Sequence, residues 1–317
     1  MNCPVCLSSS TRHELTGTDF LFETTPRTFA LDVCTACRCL FLNPPPSAEE
    51  LHSFYPATYW WSGSRPTALK RLESLYRRIA LHDHISFIEA AAPTRRTLLD
   101  YGCGSGTLIG LLKRRGFDVL GVDFSEEASR VAAEENGVRV IVAPSLEKAG
   151  LKEDSFDVVT LFHVMEHVTN PREVLASVRP LLRSEGKLII QVPNIDSWQF
   201  GWFGARWYGL DIPRHVIDYN RQAMAALLSA AGFEVVRIRQ FNLRDNAPAL
   251  ASSLLPALDP VSRSIRNRRR GEVEGSVSSW FKHLAYLLLV IASYPVARLE
   301  AACGRGATVM IEARKVR

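Results

Sequence analysis

The chain has 317 residues, of which 47 % are hydrophobic and 22 % charged, and its formal net charge is a mild +5. That length buries one full domain and carries a smaller one, and the composition is ordinary for a globular protein. Met1-Asn2-Cys3-Pro4-Val5-Cys6 lacks a basic region followed by an apolar core, so the expected location is cytoplasmic, and in that reducing setting the seven cysteines are not a disulfide framework.

Four of those cysteines form two C-x-x-C knuckles, Cys3-Pro4-Val5-Cys6 and Cys34-Thr35-Ala36-Cys37. One such turn presents two thiolates to a tetrahedral ion, and a second completes the shell. The arrangement resembles a zinc ribbon over residues 1–45, with Cys3, Cys6, Cys34 and Cys37 as ligands to a structural Zn2+. Cys39 stands close enough to compete for the fourth position, and a redox pair or unpaired buried thiols is the competing reading. Between Ser8 and Ala30 the strong cations are Arg12 and Arg27, too few for a nucleic-acid footprint. Asn43-Pro44-Pro45-Pro46-Ser47 is a stiff boundary, and Ser47-Ala48-Glu49-Glu50 has the pattern of a capping box. Phe54-Tyr55-Pro56-Ala57-Thr58-Tyr59-Trp60-Trp61 either lines a substrate mouth or packs between ribbon and core. Helical periodicity over Leu69–Ala91 closes a linker and helical cover spanning 46–95.

From Thr97 onward strand and helix patterns alternate. Leu98-Leu99-Asp100 is an apolar strand ending on an acid. It turns through Gly102-Cys103-Gly104-Ser105-Gly106 into the helical Leu108-Ile109-Gly110-Leu111-Leu112. A second strand runs from Asp118 to Val122 and ends on Asp123. Further strands are expected at Val138–Val142, Ser155–Phe162, Gly186–Val192, Gly232–Ile238 and Ala307–Ala313, with helices at Glu126–Glu135, Pro171–Leu182 and Gln222–Ala231. Such alternation predicts an α/β, doubly wound, mostly parallel sheet.

The glycine spacing is G-x-G-x-G with Asp100 just before it, whereas a dinucleotide fingerprint is G-x-G-x-x-G, which argues against a nicotinamide-dependent oxidoreductase. The pattern resembles the first motif of class I S-adenosylmethionine (SAM) methyltransferases. The resemblance implies a seven-stranded Rossmann-like sheet whose last strand, in 306–317, inserts antiparallel between the fifth and sixth strands of a core at 96–242. It also implies SAM contacts at Asp100, Tyr101, Gly102, Cys103, Gly104, Gly106, Asp123, Phe124, Ser145, Leu146, Phe162 and His163. Asp100 faces the amino-acid half and Asp123 holds the ribose in that family, while Ser145, where many relatives carry an acid, offers a hydroxyl or backbone contact to the adenine.

Methyl transfer from a sulfonium needs alignment and, for a protonated nucleophile, a base. Two places offer one. His163-Val164-Met165-Glu166-His167 spells H-x-x-E-H, a zinc-peptidase signature, but here it follows a strand end, so that reading is rejected. The segment is similar to the E-x-x-E-H of ubiquinone-type O-methyltransferases, where it is associated with a divalent cation. Glu166 and His167 match and His163 replaces the first acid, so His163 is either a base or part of a loop closed by hydrogen bonds. The second place is Tyr208-Gly209-Leu210-Asp211-Ile212-Pro213-Arg214-His215, after an aromatic loop, Trp198–Trp207, long enough to be a lid. Related SAM-dependent enzymes carry a Pro-x-His turn here, which makes His215 the first catalytic candidate, with Tyr208 or Arg214 orienting the acceptor. A histidine capping the next helix is the alternative.

Residues 243–305 form an insertion containing Arg266-Asn267-Arg268-Arg269-Arg270 and an apolar stretch over 280–297. Its uncharged run from Leu284 to Ala297 falls short of the ~20 residues that span a bilayer, so the expectation is a helix in the membrane surface, or a buried or dimer helix. Membrane contact would place the enzyme peripherally on the inner face of the membrane with a lipid-linked acceptor. The N-terminal module also resembles that of bacterial sugar C-methyltransferases, which implies a nucleotide-linked sugar. A non-catalytic SAM-binding or zinc-ribbon adaptor is the reading of another class.

Overall fold

The computed structural model describes residues 1–55, 79–92, 94, 96–272 and 275–316. The aromatic residues Tyr59, Trp60 and Trp61 and the N-terminal part of the expected 69–91 helix lie outside the described residues. The chain forms two compact units. One gathers Met1–Tyr59, Pro193–Arg221 and Gln240–Val309; the other gathers Trp60–Val192, Gln222–Arg239 and Met310–Arg317.

In the second unit α2 (His82–Ala91) precedes β4 (Thr97–Tyr101), followed by α3 (Thr107–Lys113), β5 (Asp118–Asp123), α4 (Glu126–Asn136), β6 (Val140–Val142), β7 (Phe156–Phe162), α5 (Pro171–Leu181), β8 (Leu182–Pro193), α7 (Arg221–Ala230), β10 (Phe233–Arg239) and β11 (Thr308–Lys315). The strands form one sheet in the order β10-β11-β8-β7-β4-β5-β6. β4 pairs in parallel with β5 and β7, whereas β11 runs antiparallel to β10, with Phe233 opposite Lys315. The last strand is thus placed between the fifth and sixth, as the resemblance to class I methyltransferases implies. Strand β7 is buried along its whole length, which is why it reads as a continuous apolar run rather than an alternating one. Leu98, Ile109, Leu112, Val158 and Ile189 meet in the core with Ile88 of α2. Local signals fix the helix ends. Ser125 caps α4 by accepting from the Ala128 N–H, and Gly137 closes it at φ +62°.

In the first unit β1 (Thr11–Thr18), β2 (Thr28–Cys34) and β3 (Leu40–Leu42) form an antiparallel sheet whose fourth strand, β9 (Ile217–Asp218), comes from far along the chain. The expected capping box opens α1 (Ala48–Ser53), with Ser47 and Glu50 bonded reciprocally. The insertion is helical: α8 (Asn246–Leu254), α9 (Pro260–Arg270) and α10 (Ser276–Ala302). α10 has 27 residues, nearly twice the uncharged run seen in the sequence, because Lys282 and Arg298 continue it at either end.

Candidate active site

The turn between β4 and α3 is shaped by three glycines with positive φ: Gly102 (+76°), Gly104 (+52°) and Gly106 (+67°). They do different work. A Cβ on Gly102 would sit 2.5 Å from Val164 Cγ2, and one on Gly106 would sit 2.7 Å from Val138 Cγ2 and 2.9 Å from the Ala132 Cβ, so packing requires glycine at both. A Cβ on Gly104 meets nothing within 4 Å, so its bare backbone faces open space where a ligand can approach.

Two buried acids flank the turn. Asp123, at the end of β5, accepts the Gly104 N–H at 2.8 Å and the Ser125 N–H at 3.0 Å, and burial raises its carboxyl above the ordinary carboxylate range. Asp100, in β4, accepts from the Thr160 hydroxyl at 2.6 Å. Burial, reinforced by Asp100 and Asp123, pushes the Cys103 thiol far up and keeps it protonated. The Tyr101 phenol is raised by burial and then by Asp123, and its hydroxyl meets the backbone of Leu146. Phe124 is 50 % exposed, a flat apolar surface beside Asp123, while Leu146 is buried and Ser145 half-buried in the loop after β6. The donor set fits SAM: an exposed ring and a buried leucine for the adenine, Asp123 for ribose hydroxyls, and Asp100 for a cationic amino group beside a bare backbone.

Phe162 ends β7 with its ring nearly buried, in edge contact with His84. His163 follows at φ +56°, a strained value for a side chain with a Cβ and one that clusters at functional sites. Its Nδ1 lies 3.0 Å from Glu166 Oε1, and the Gln191 side-chain amide lies 2.8 Å from Nε2. With that amide donating, the ring proton rests on Nδ1 and is given to the fully buried Glu166. His167 ends the same 3-10 turn, Met165–His167, rather than standing on a peptidase-like α-helix.

In the first unit, residues 193–221 are held by buried polar contacts. The expected lid is instead α6 (Trp198–Phe203) followed by two 3-10 turns, and it is tied down. Gln199 donates to Glu300 at 2.9 Å, and fully buried Trp207 gives its indole N–H to Gln199 at 3.4 Å. Arg214 does not orient an acceptor. It is fully buried and forks onto Asp19 at 2.7 and 3.0 Å and onto Asp211 at 2.6 and 2.9 Å, and it also reaches the Phe54 carbonyl at 3.1 Å, so its donors serve the protein. Tyr208 packs its ring beside Leu21, Phe22 and Ile265, and burial, then Asp259, raises its phenol well above the ordinary value. His215 Nδ1 lies 2.9 Å from the Gly209 carbonyl and 3.5 Å from the buried Asp218 carboxylate. Nδ1 therefore carries the proton, and the basic lone pair is on Nε2.

The ligand atoms of Cys3, Cys6, Cys34 and Cys37 all lie within 4.8 Å of one another. Val5 and Cys6 N–H groups each point at Cys3 Sγ from 3.4 Å, the turn that two closely spaced thiolates require. Four thiols so gathered fit a tetrahedral Zn2+, and Cys39 Sγ adds a fifth at 3.3 Å from Cys3 and 3.5 Å from Cys37.

A parallel nucleotide-type sheet with one inserted antiparallel strand, a triple-glycine turn and an acid ending each of the first two strands defines a class I methyltransferase. A family described as a methyltransferase domain matches residues 72–238, just over half of the chain, and the chain belongs to it. The ubiquinone biosynthesis O-methyltransferase of Paraburkholderia phymatum is 30 % identical over 214 residues, covering 60 % of this chain and 85 % of that one. The protein of the same name from Paraburkholderia xenovorans is 33 % identical over 147 residues, covering 43 % and 62 %. The crystal structure of a SAM-dependent methyltransferase from Archaeoglobus fulgidus shares the fold at a TM-score of 0.50 and 18 % identity, covering 78 % of this chain and all of that one. The protein is a SAM-dependent methyltransferase with a small-molecule acceptor.

Proposed function

We propose that this enzyme carries out base-assisted methylation of a hydroxyl on a lipid-linked small molecule, on the cytoplasmic face of a membrane. The cradle of Gly102, Gly104 and Gly106 between two buried acids is the observation that carries methyl transfer. SAM, when bound, supplies a methyl group on a cationic sulfur, already electrophilic. The chain has to align the acceptor and take its proton. His215 suits the second task, since donation from Nδ1 to Gly209 O fixes the tautomer with a basic Nε2, and Asp218 steadies the imidazolium that forms. His163, oriented by Glu166 and Gln191, shapes the end of β7. The four-cysteine group would hold Zn2+ as a structural ion.

Replacing His215 with Asn keeps a similar shape and removes the base. Turnover is expected to fall by about 10²-fold or more, while affinity for S-adenosylhomocysteine stays near that of the parent. Unchanged turnover removes His215 from the mechanism. Incubation with methyl-tritiated SAM and cell extract identifies the acceptor class, with label expected in the organic-soluble fraction. Label only in water-soluble nucleotide sugars replaces the lipid-linked acceptor with the sugar reading that the cysteine module favours.

A further inference from the structure

α10 is long and apolar enough to cross a bilayer, and less than a quarter of its most apolar stretch is buried. Its buried residues, Ser293, Ala297 and Glu300 among them, fall on one side of the helix. The opposite side carries Val277, Phe281, Leu284, Leu288, Ile291 and Leu299, all exposed and spaced by three, four or eight residues. At 1.5 Å per residue this is a continuous apolar stripe about 33 Å long. Water is a poor solvent for such a stripe, and monomeric soluble proteins rarely leave so large a patch uncovered.

Crossing a membrane is excluded by what holds the helix. Near its start, Tyr286 lies 3.0 Å from the Ser252 hydroxyl and His283 lies 3.0 Å from an Arg263 guanidinium nitrogen. Near its end, Glu300 accepts from Gln199, and Arg305 donates to the Asp196 carbonyl at 3.0 Å. Both ends are thus fastened to the same compact unit.

Charge selects the occupant. Between Pro260 and Arg305 there are eight cations and three acids, an excess equal to that of the whole chain. Exposed Arg268 and Arg269 precede the stripe, exposed Arg298 adjoins its last residue, Leu299, and exposed Arg305 follows it. A second copy pairing isologously through α10 would set the cations of one end against those of the other, which disfavours it. Anionic headgroups meet both sets at once. Trp280, 52 % exposed beside Phe281, has the amphipathic ring that settles at a headgroup boundary.

We propose that the solvent-facing stripe of α10 docks the enzyme on an anionic lipid surface, the helix lying along the headgroup boundary. The surface is argued from α10 and its flanking arginines alone, so its failure leaves methyl transfer standing. The test is flotation of the full chain with phosphatidylcholine vesicles, with and without phosphatidylglycerol. Binding is expected with the anionic lipid only and weakens as salt rises. The combined L284E, L288E and I291E variant is expected to lose binding by about tenfold or more while still binding S-adenosylhomocysteine in calorimetry. Should that variant misfold, combined R268Q and R269Q reduces binding to anionic vesicles instead. No flotation of the parent, or flotation unmoved in both variants, overturns the proposal. So does a dimer in sedimentation velocity that the glutamate variant abolishes, in a parent that ignores vesicles; that result gives the stripe to a second copy.

Discussion

Substituting Ala for Gly104 and, separately, for Gly106 separates the two duties of the glycine turn. Both positions hold left-handed φ, +52° and +67°, which costs an L-residue roughly 1–2 kcal/mol. At Gly106 the new methyl also lies 2.7 Å from Val138 Cγ2 and 2.9 Å from the Ala132 Cβ. Overpacking of that kind adds about 1–3 kcal/mol, for a total near 2–5 kcal/mol. At Gly104 nothing lies within 4 Å, so the fold bears the backbone strain alone and the methyl stands on the surface offered to the cofactor. Urea unfolding is therefore expected to show Gly104→Ala as the milder lesion. Calorimetry with S-adenosylhomocysteine should show affinity down by about tenfold or more, the equivalent of 1.4 kcal/mol. Affinity within about twofold of the parent for Gly104→Ala refutes the claim that this backbone faces the ligand.

Arg214→Met strands the buried Asp19 and Asp211 carboxylates. Loss of one partner of such a network costs about 3–5 kcal/mol, read as a lowered urea midpoint, and a midpoint equal to the parent's contradicts the buried fork. Burial raises Asp123 above its ordinary 3.8, so between that value and the folded one the native state binds the extra proton. Stability should fall as pH rises through that window, whereas cofactor affinity, which needs the ionised acceptor, should rise; affinity flat with pH, or unchanged in Asp123→Asn, argues against ribose binding there. Cys34→Ser should lower zinc content from one ion per chain and loosen the four-stranded sheet, as read by metal analysis and proteolysis. Full zinc retention in that variant would mean that Cys39 substitutes as the fourth ligand.

The seven-stranded sheet was legible because its signals are local: apolar runs, glycines at alternate positions and acids at strand ends lie within a few residues of one another. Cys3 and Cys34 were legible for the same reason, each within a two-cysteine turn. What escaped is long-range. Nothing in Asp19-Phe20-Leu21-Phe22 announces that Asp19 meets Arg214, and Arg214 beside a histidine resembles a substrate contact until Asp19 and Asp211 fill its fork. Gln191 reads as a polar interruption in an apolar strand, and only the pairing of β7 with β8 sets it opposite Phe162, within reach of His163. The extent of α10 was hidden because Lys282 and Arg298 end the uncharged run without ending the helix.

The unit that contains the four-cysteine group is assembled from three separated stretches, and Asp19 finds Arg214 across 195 residues while Leu21 finds Arg266 across 245. During synthesis, at roughly 5–20 residues per second, Arg214 emerges about 10–40 s after Asp19. A nascent chain therefore carries Cys3, Cys6, Cys34 and Cys37 through most of translation before Pro193–Arg221 and Gln240–Val309 of the same unit exist. Early capture of an ion by Cys3, Cys6, Cys34 and Cys37 would hold the first hairpin in shape through that interval, and the yield of folded enzyme at the ribosome would then depend on metal supply.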